Sequence, residues 1–187
     1  MSIRPVLYKV SSMQSLIGLI GSNDPSILDK ATTPSNGRKA SARLKKGIAS
    51  VLAGTTRNGK EPAIWLDCCL PIAQAAGLTD GISISDDDYK LSAWADFAYL
   101  FGERLDTPLA PLVHGLASGR PFVAASLAAD GGYYAWLTSN EITALRPALE
   151  VVAAVNPQFV QELDGFYQDL LGWLDACHGN DLLLIAT

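Results

Sequence analysis

Apolar positions along this chain fall into short blocks, and the spacing within each block predicts an element. Residues 3–10 read Ile-Arg-Pro-Val-Leu-Tyr-Lys-Val, a short strand that Pro5 pushes to an edge or to its first position. A serine at 11 or 12 caps a helix that runs to Ile20 and stops at Gly21. Asp24-Pro25 opens a second short helix, with the aspartate as cap and the proline in the first turn. Residues 32–38 are a loop by composition. From 39 to 53 the period becomes helical: Ala40, Leu44, Ile48, Val51 and Leu52 share one face, and Lys39, Arg43, Lys46 and Ser50 share another.

A polar loop at 54–61 precedes a helix over 62–76, expected to bend at Pro71. The loop at 77–88 ends in Asp86-Asp87-Asp88. Negative charge there favours the positive end of the helix dipole over 89–104, which sends Leu91, Trp94, Ala95, Ala98 and Phe101 inward. A shorter helix over 108–117 closes at Ser118-Gly119. Two apolar runs at 121–128 and 133–137 flank Ala129-Asp130-Gly131-Gly132, which reads as a hairpin. Thr138 and Glu141 have capping-box spacing for a helix to about residue 154, weakened at Pro147. Asn156-Pro157 starts the last helix. Its stripe is Leu163, Phe166, Tyr167, Leu170, Leu174 and Cys177, and Gly179 ends it. Residues 181–186 (Asp-Leu-Leu-Leu-Ile-Ala) read as a buried terminal strand. The sum is one domain over 1–187 of the α+β class: mostly helical, with a small sheet from the N-terminal strand, the hairpin near 121–137 and the C-terminal strand.

Composition supports a packed core, with 49% apolar and 18% charged residues. No apolar run reaches the roughly 18 residues of a membrane helix, and the first residues lack the apolar stretch of a signal peptide. Three cysteines, Cys68, Cys69 and Cys177, fit a reducing, cytoplasmic setting. The net charge of −5 hides a division. Residues 1–60 carry ten Lys/Arg against Asp24 and Asp29, a net of +8. Residues 61–187 carry four basic residues against 17 acids, a net of −13. Such asymmetry marks a charged partner, or else two halves that neutralise each other internally.

The chemistry-bearing motifs are few. A Gly-x-Ser-x-Gly elbow, a Gly-x-x-x-x-Gly-Lys-Ser/Thr phosphate loop and a Gly-x-Gly-x-x-Gly turn are all missing. His114 and His178 stand far apart, and the Cys68-Cys69 pair with Cys177-His178 makes a poor zinc set, so no metal and no cofactor is expected. Asp96, Glu103 and His114 are the acid–base candidates, because a spacing of seven puts the two carboxylates on one helix face. An exposed polar stripe explains the same spacing. Asp86, Asp87 and Asp88, with Tyr133 and Tyr134 beside the Gly-Gly turn, are candidate partner contacts; helix-start solvation and hairpin packing are the plainer readings. Arg38, Lys39, Arg43, Lys45 and Lys46 could meet phosphates. They lack interleaved aromatics, and the chain is acidic overall, which argues against nucleic acid.

The C-terminal third carries a resemblance. Tyr134-Ala135-Trp136-Leu137-Thr138-x-x-Glu141-Ile142-x-x-Leu145 is followed by Ala148-Leu149, Leu163-x-x-Phe166-Tyr167, Trp173-Leu174 and a closing Asp181-Leu182-Leu183-Leu184-Ile185. This resembles the small bacterial YfbM-like proteins of unknown function. Residues 33–60 and Asp86–Asp88 have no counterpart in that pattern. The resemblance implies a helix-rich α+β domain and carries over no catalytic residue. Members of such families are sometimes found beside toxin genes, which implies an immunity-type role. The expectation is therefore a non-enzymatic module that binds another protein, a basic toxin for instance, with a small acid–base enzyme as the alternative.

Overall fold

The computed structural model describes residues 4–33, 40–55, 61–85, 89–120 and 132–187, with side chains from Asp67 onward in the third stretch. A three-stranded antiparallel sheet lies at the centre, in the order β1 (Pro5–Val10), β3 (Asp181–Ala186), β2 (Tyr133–Leu137). The last strand is thus the middle one. It pairs Pro5 with Ala186 through Val10 with Asp181 on one side, and Tyr133 with Ala186 through Leu137 with Leu182 on the other. All six β3 residues are buried. A strand covered on both faces can be apolar at every position, which explains its unbroken Leu-Leu-Leu-Ile run.

The pleat sorts side chains into two cores. Leu7, Ala135, Leu182 and Leu184 face one, and Val10, Tyr134, Leu183 and Ile185 face the other. The second face is covered by α1 (Met13–Gly18), α2 (Pro25–Thr32), α3 (Ala42–Leu52) and α4 (Glu61–Ala75). The first is covered by α5 (Leu91–Gly102), α6 (Ala110–Ser118), α7 (Ser139–Val155), α8 (Pro157–Glu162) and α9 (Phe166–Ala176). The mostly helical α+β architecture is the expected one, arranged as helices, sheet, helices.

Local chemistry explains most boundaries. Ser12, Asp24, Ser41 and Thr138 each accept a backbone N–H as N-cap, and Thr138 with Glu141 completes a capping box. Pro71 and Pro147 lie inside helices that run on past them. The expected single last helix is broken in two. Asp164 (φ 41°) and Gly165 (φ 87°) take left-handed conformations between α8 and α9. Of the expected hairpin, residues 121–131 lie outside the described residues, and the strand at 133–137 pairs with β3. The Arg120 N–H donates to the Tyr134 carbonyl at 3.0 Å on the other edge of β2.

One polar side chain ties the layers together. Asp181 accepts the Met13 N–H at 2.6 Å and the Ser139 N–H at 2.7 Å. These are the first residues of α1 and α7, which sit on opposite faces of the sheet.

Candidate interaction surface

Helix α5 turns Trp94, Phe97, Ala98, Leu100 and Phe101 into the core. Trp94 and Phe97 pack on Phe166, and Phe101 stacks on Tyr167 at 5.3 Å. Ala95, expected inside, is exposed. The same rotation of about 100° per residue leaves Asp96, Tyr99 and Glu103 on the outer face. Tyr99 is 70% exposed. None of the three side chains has a hydrogen-bond or ion-pair partner among the described residues.

The acid–base candidates are only partly assembled. Glu103 and His114 line one open depression of about 880 Å³ between the end of α5 and α6. His114 lies against Gly102 so closely that a Cβ there would sit 2.6 Å from the imidazole Nε2, so a side chain at 102 would push the exposed ring aside. Asp96 lines a different depression, of about 330 Å³, with Lys90, Glu162 and Asp164. The two carboxylates share a face but are some 10 Å apart along the helix by its rise per residue, so they do not form a pair.

The two nearby arginines are engaged elsewhere. Arg104 donates to the Leu100 carbonyl at 3.0 Å and lies 4.5 Å over the Phe159 ring. Arg120 borders the larger depression but grips Glu141 with two 2.8 Å bonds, donates to the Trp136 carbonyl and covers the Trp136 ring at 3.9 Å. Burial opposes ionisation of Glu141. The hydrogen bonds from Arg120 and Thr138, with the Arg120 charge, outweigh it and hold this carboxyl below its usual range.

Tyr133 and Tyr134 are not exposed contacts. Both are buried, at 2% and 1% exposure, because β2 is covered on both faces. The Tyr133 hydroxyl donates to the Leu116 carbonyl at 2.9 Å, and burial pushes its pKa well up. Asp86, Asp87, Asp88, Arg38 and Lys39 lie outside the described residues. Arg43, Lys45 and Lys46 are exposed on α3, where Arg43 meets Asp67 at 3.7 Å.

The cysteines are split by the sheet, Cys68 and Cys69 in one core and Cys177 in the other. Burial raises Cys68 to about 12 and Cys177 to about 11, so both stay protonated thiols at neutral pH. No group of His, Cys, Asp and Glu among the described residues is arranged to hold a metal. Gly54-Thr-Thr-Arg-Asn-Gly-Lys60 spells most of a phosphate loop, but Glu61 stands where that loop needs Ser or Thr, and the segment follows a helix where a strand is required.

The charge division follows the layers only in part, because α4, which carries Glu61 and Asp67, lies in the layer built by the basic residues 1–60. Residues 1–60 supply β1 and three of the four helices on one side of the sheet, and residues 89–187 supply every helix on the other. The ion pairs Arg43–Asp67, Arg120–Glu141, Arg146–Glu150 and Arg146–Asp175 each stay within one layer. Sequence reasoning found Asp96 and Glu103 but missed Tyr99, although it stands three residues after one acid and four before the other. It also took Asp181 as a strand start, where only the folded chain shows two helix ends converging.

Comparison with known proteins places the chain in no group: no protein-family model, curated protein or solved structure matches it. Among the described residues, no helix is long and apolar enough to cross a membrane.

Proposed function

We propose that this chain is a non-enzymatic, cytosolic protein-binding module whose acidic layer covers a basic partner, as an immunity protein covers a toxin. The observation that carries this reading is the excess of acids beyond residue 88, the part of the chain that supplies every helix on one side of the sheet. Beyond residue 88 there are eleven acids and four basic residues. Arg104 is turned onto Phe159 and Arg120 onto Glu141, so neither answers the outward acids of α5. A surface of one sign steers an oppositely charged protein and fixes its orientation. Three buried thiols suit a reducing compartment.

The test is capture from the native host on the immobilised full chain, eluted with a salt gradient. The expected result is a basic protein that binds at low and moderate salt and is lost when Asp96, Glu103, Glu162 and Asp164 are changed together to their amides. Recovery of no protein partner at either salt overturns the reading.

A further inference from the structure

We infer that the outer face of α5, centred on Tyr99, is the docking site for an extended basic segment of the partner that carries two Lys or Arg side chains three residues apart. This inference rests on the reading of a basic partner and narrows it to one surface and one pattern.

Three features converge on this face. Tyr99 stands on the helix ridge at 70% exposure, with a whole aromatic ring free to meet a cation or an apolar stem. Asp96 and Glu103 lie about one turn to either side on the same face, both exposed and without partners among the described residues. Each carboxylate opens onto its own depression. Asp96 shares one with Glu162, Asp164 and the single cation Lys90, and Glu103 shares the other with His114 and with Arg120, whose charge is already met by Glu141. The ridge therefore separates two recesses, each with an acid at its mouth, and the charge complement of both is a cation.

The spacing selects the pattern. Seven residues of α-helix separate the carboxylates by about 10 Å. A polyproline-II segment has three residues per turn and rises about 3.1 Å per residue, so its positions i and i+3 point the same way about 9 Å apart. Two cations at that interval reach both recesses, and the two residues between them cross Tyr99. An exposed aromatic beside a preformed extended chain is a recurring way to read such segments.

The experiment titrates the full isotope-labelled chain at low salt with two probes. One is a short Pro/Ala peptide carrying Arg at i and i+3, and the other has the same composition with its two Arg adjacent. The spaced peptide is expected to bind more tightly and to shift the amide signals of α5 and of the 162–164 turn. Tyr99→Ala should weaken it about three- to fivefold, Tyr99→Phe should leave it unchanged, and Asp96→Asn with Glu103→Gln should weaken it about tenfold. These side chains are exposed, so the variants fold. Equal affinity for the two peptides overturns the spacing. Binding that ignores all three changes overturns the site while the basic-partner reading stands. If neither peptide binds at low salt and the host yields a non-basic partner, both fall.

Discussion

Asp181 directs one carboxylate oxygen to each side of the sheet. It receives the Met13 N–H from α1 and the Ser139 N–H from α7, and neither donor has an intrahelical acceptor, being at a helix start. Negative charge at two positive helix ends adds a favourable dipole interaction. Replacing the carboxylate with an amide keeps the shape and removes one acceptor, so an NH₂ group then faces a backbone N–H. Hydrogen bonds to charged groups contribute about 1.5–3 kcal/mol each, and a buried donor left unmade costs about 1–3 kcal/mol. Asp181→Asn should therefore destabilise the fold by about 2–4 kcal/mol. Urea unfolding should show a lower midpoint at an unchanged slope. A midpoint within error of the parent chain would mean that the two bonds contribute nothing net.

The turn between α8 and α9 shows what one residue does for an element. Phe159 on α8 packs on Phe101, and Phe166 at the start of α9 packs on Trp94 and Phe97. A straight helix through 157–176 would carry these two rings along one axis. The left-handed pair at Asp164 and Gly165 bends the chain so that both reach the same core. A Cβ at Gly165 would meet only the Tyr89 hydroxyl at 3.5 Å, an ordinary contact, so the cost of Gly165→Ala is that of the backbone alone. Left-handed geometry costs a non-glycine residue about 1–2 kcal/mol, and the thermal midpoint should fall accordingly. Gly165→Asn should cost less, since asparagine tolerates that region. The sequence concealed this break because Leu163, Phe166, Tyr167 and Leu170 keep helical spacing across it, and a lone glycine is a weak breaker. Other elements were plain: the Asp24-Pro25 start of α2, the Thr138–Glu141 box of α7 and the apolar run of β3 each carry their own local cause. Tyr133 and Tyr134 misled because a neighbouring Gly-Gly reads as an exposed turn, whereas β2 lies between two helical layers. At the candidate surface, charge and period revealed Asp96 and Glu103. The depressions beside them depend on α6 and on the turn after α8, contacts far apart in sequence.

At the scale of the whole molecule, the sheet is the boundary between the two helical layers and, among the described residues, the structure that belongs to both cores. β3 makes that joint. It supplies Leu182 and Leu184 to one core, Leu183 and Ile185 to the other, and hydrogen bonds to β1 and β2 at once. β1 and β2 have no ladder with each other. Burying a Leu or Ile side chain contributes about 1.5–3 kcal/mol, so these four account for something on the order of 8 kcal/mol. That is comparable with the whole stability of a typical domain, about 5–15 kcal/mol. A chain ending at Asn180 should therefore lose both layers together. Near-UV circular dichroism and dispersed methyl signals should vanish across α1–α4 and α5–α9 alike, leaving at most a helical, loosely packed state. Adding the missing strand back as a separate peptide should restore signals in both layers with a single binding curve, because one strand completes two cores. If the truncated chain instead keeps a cooperative transition in either layer, that layer is a folding unit on its own. The acidic layer would then be a piece joined to another, and a single cooperative body would be the wrong description.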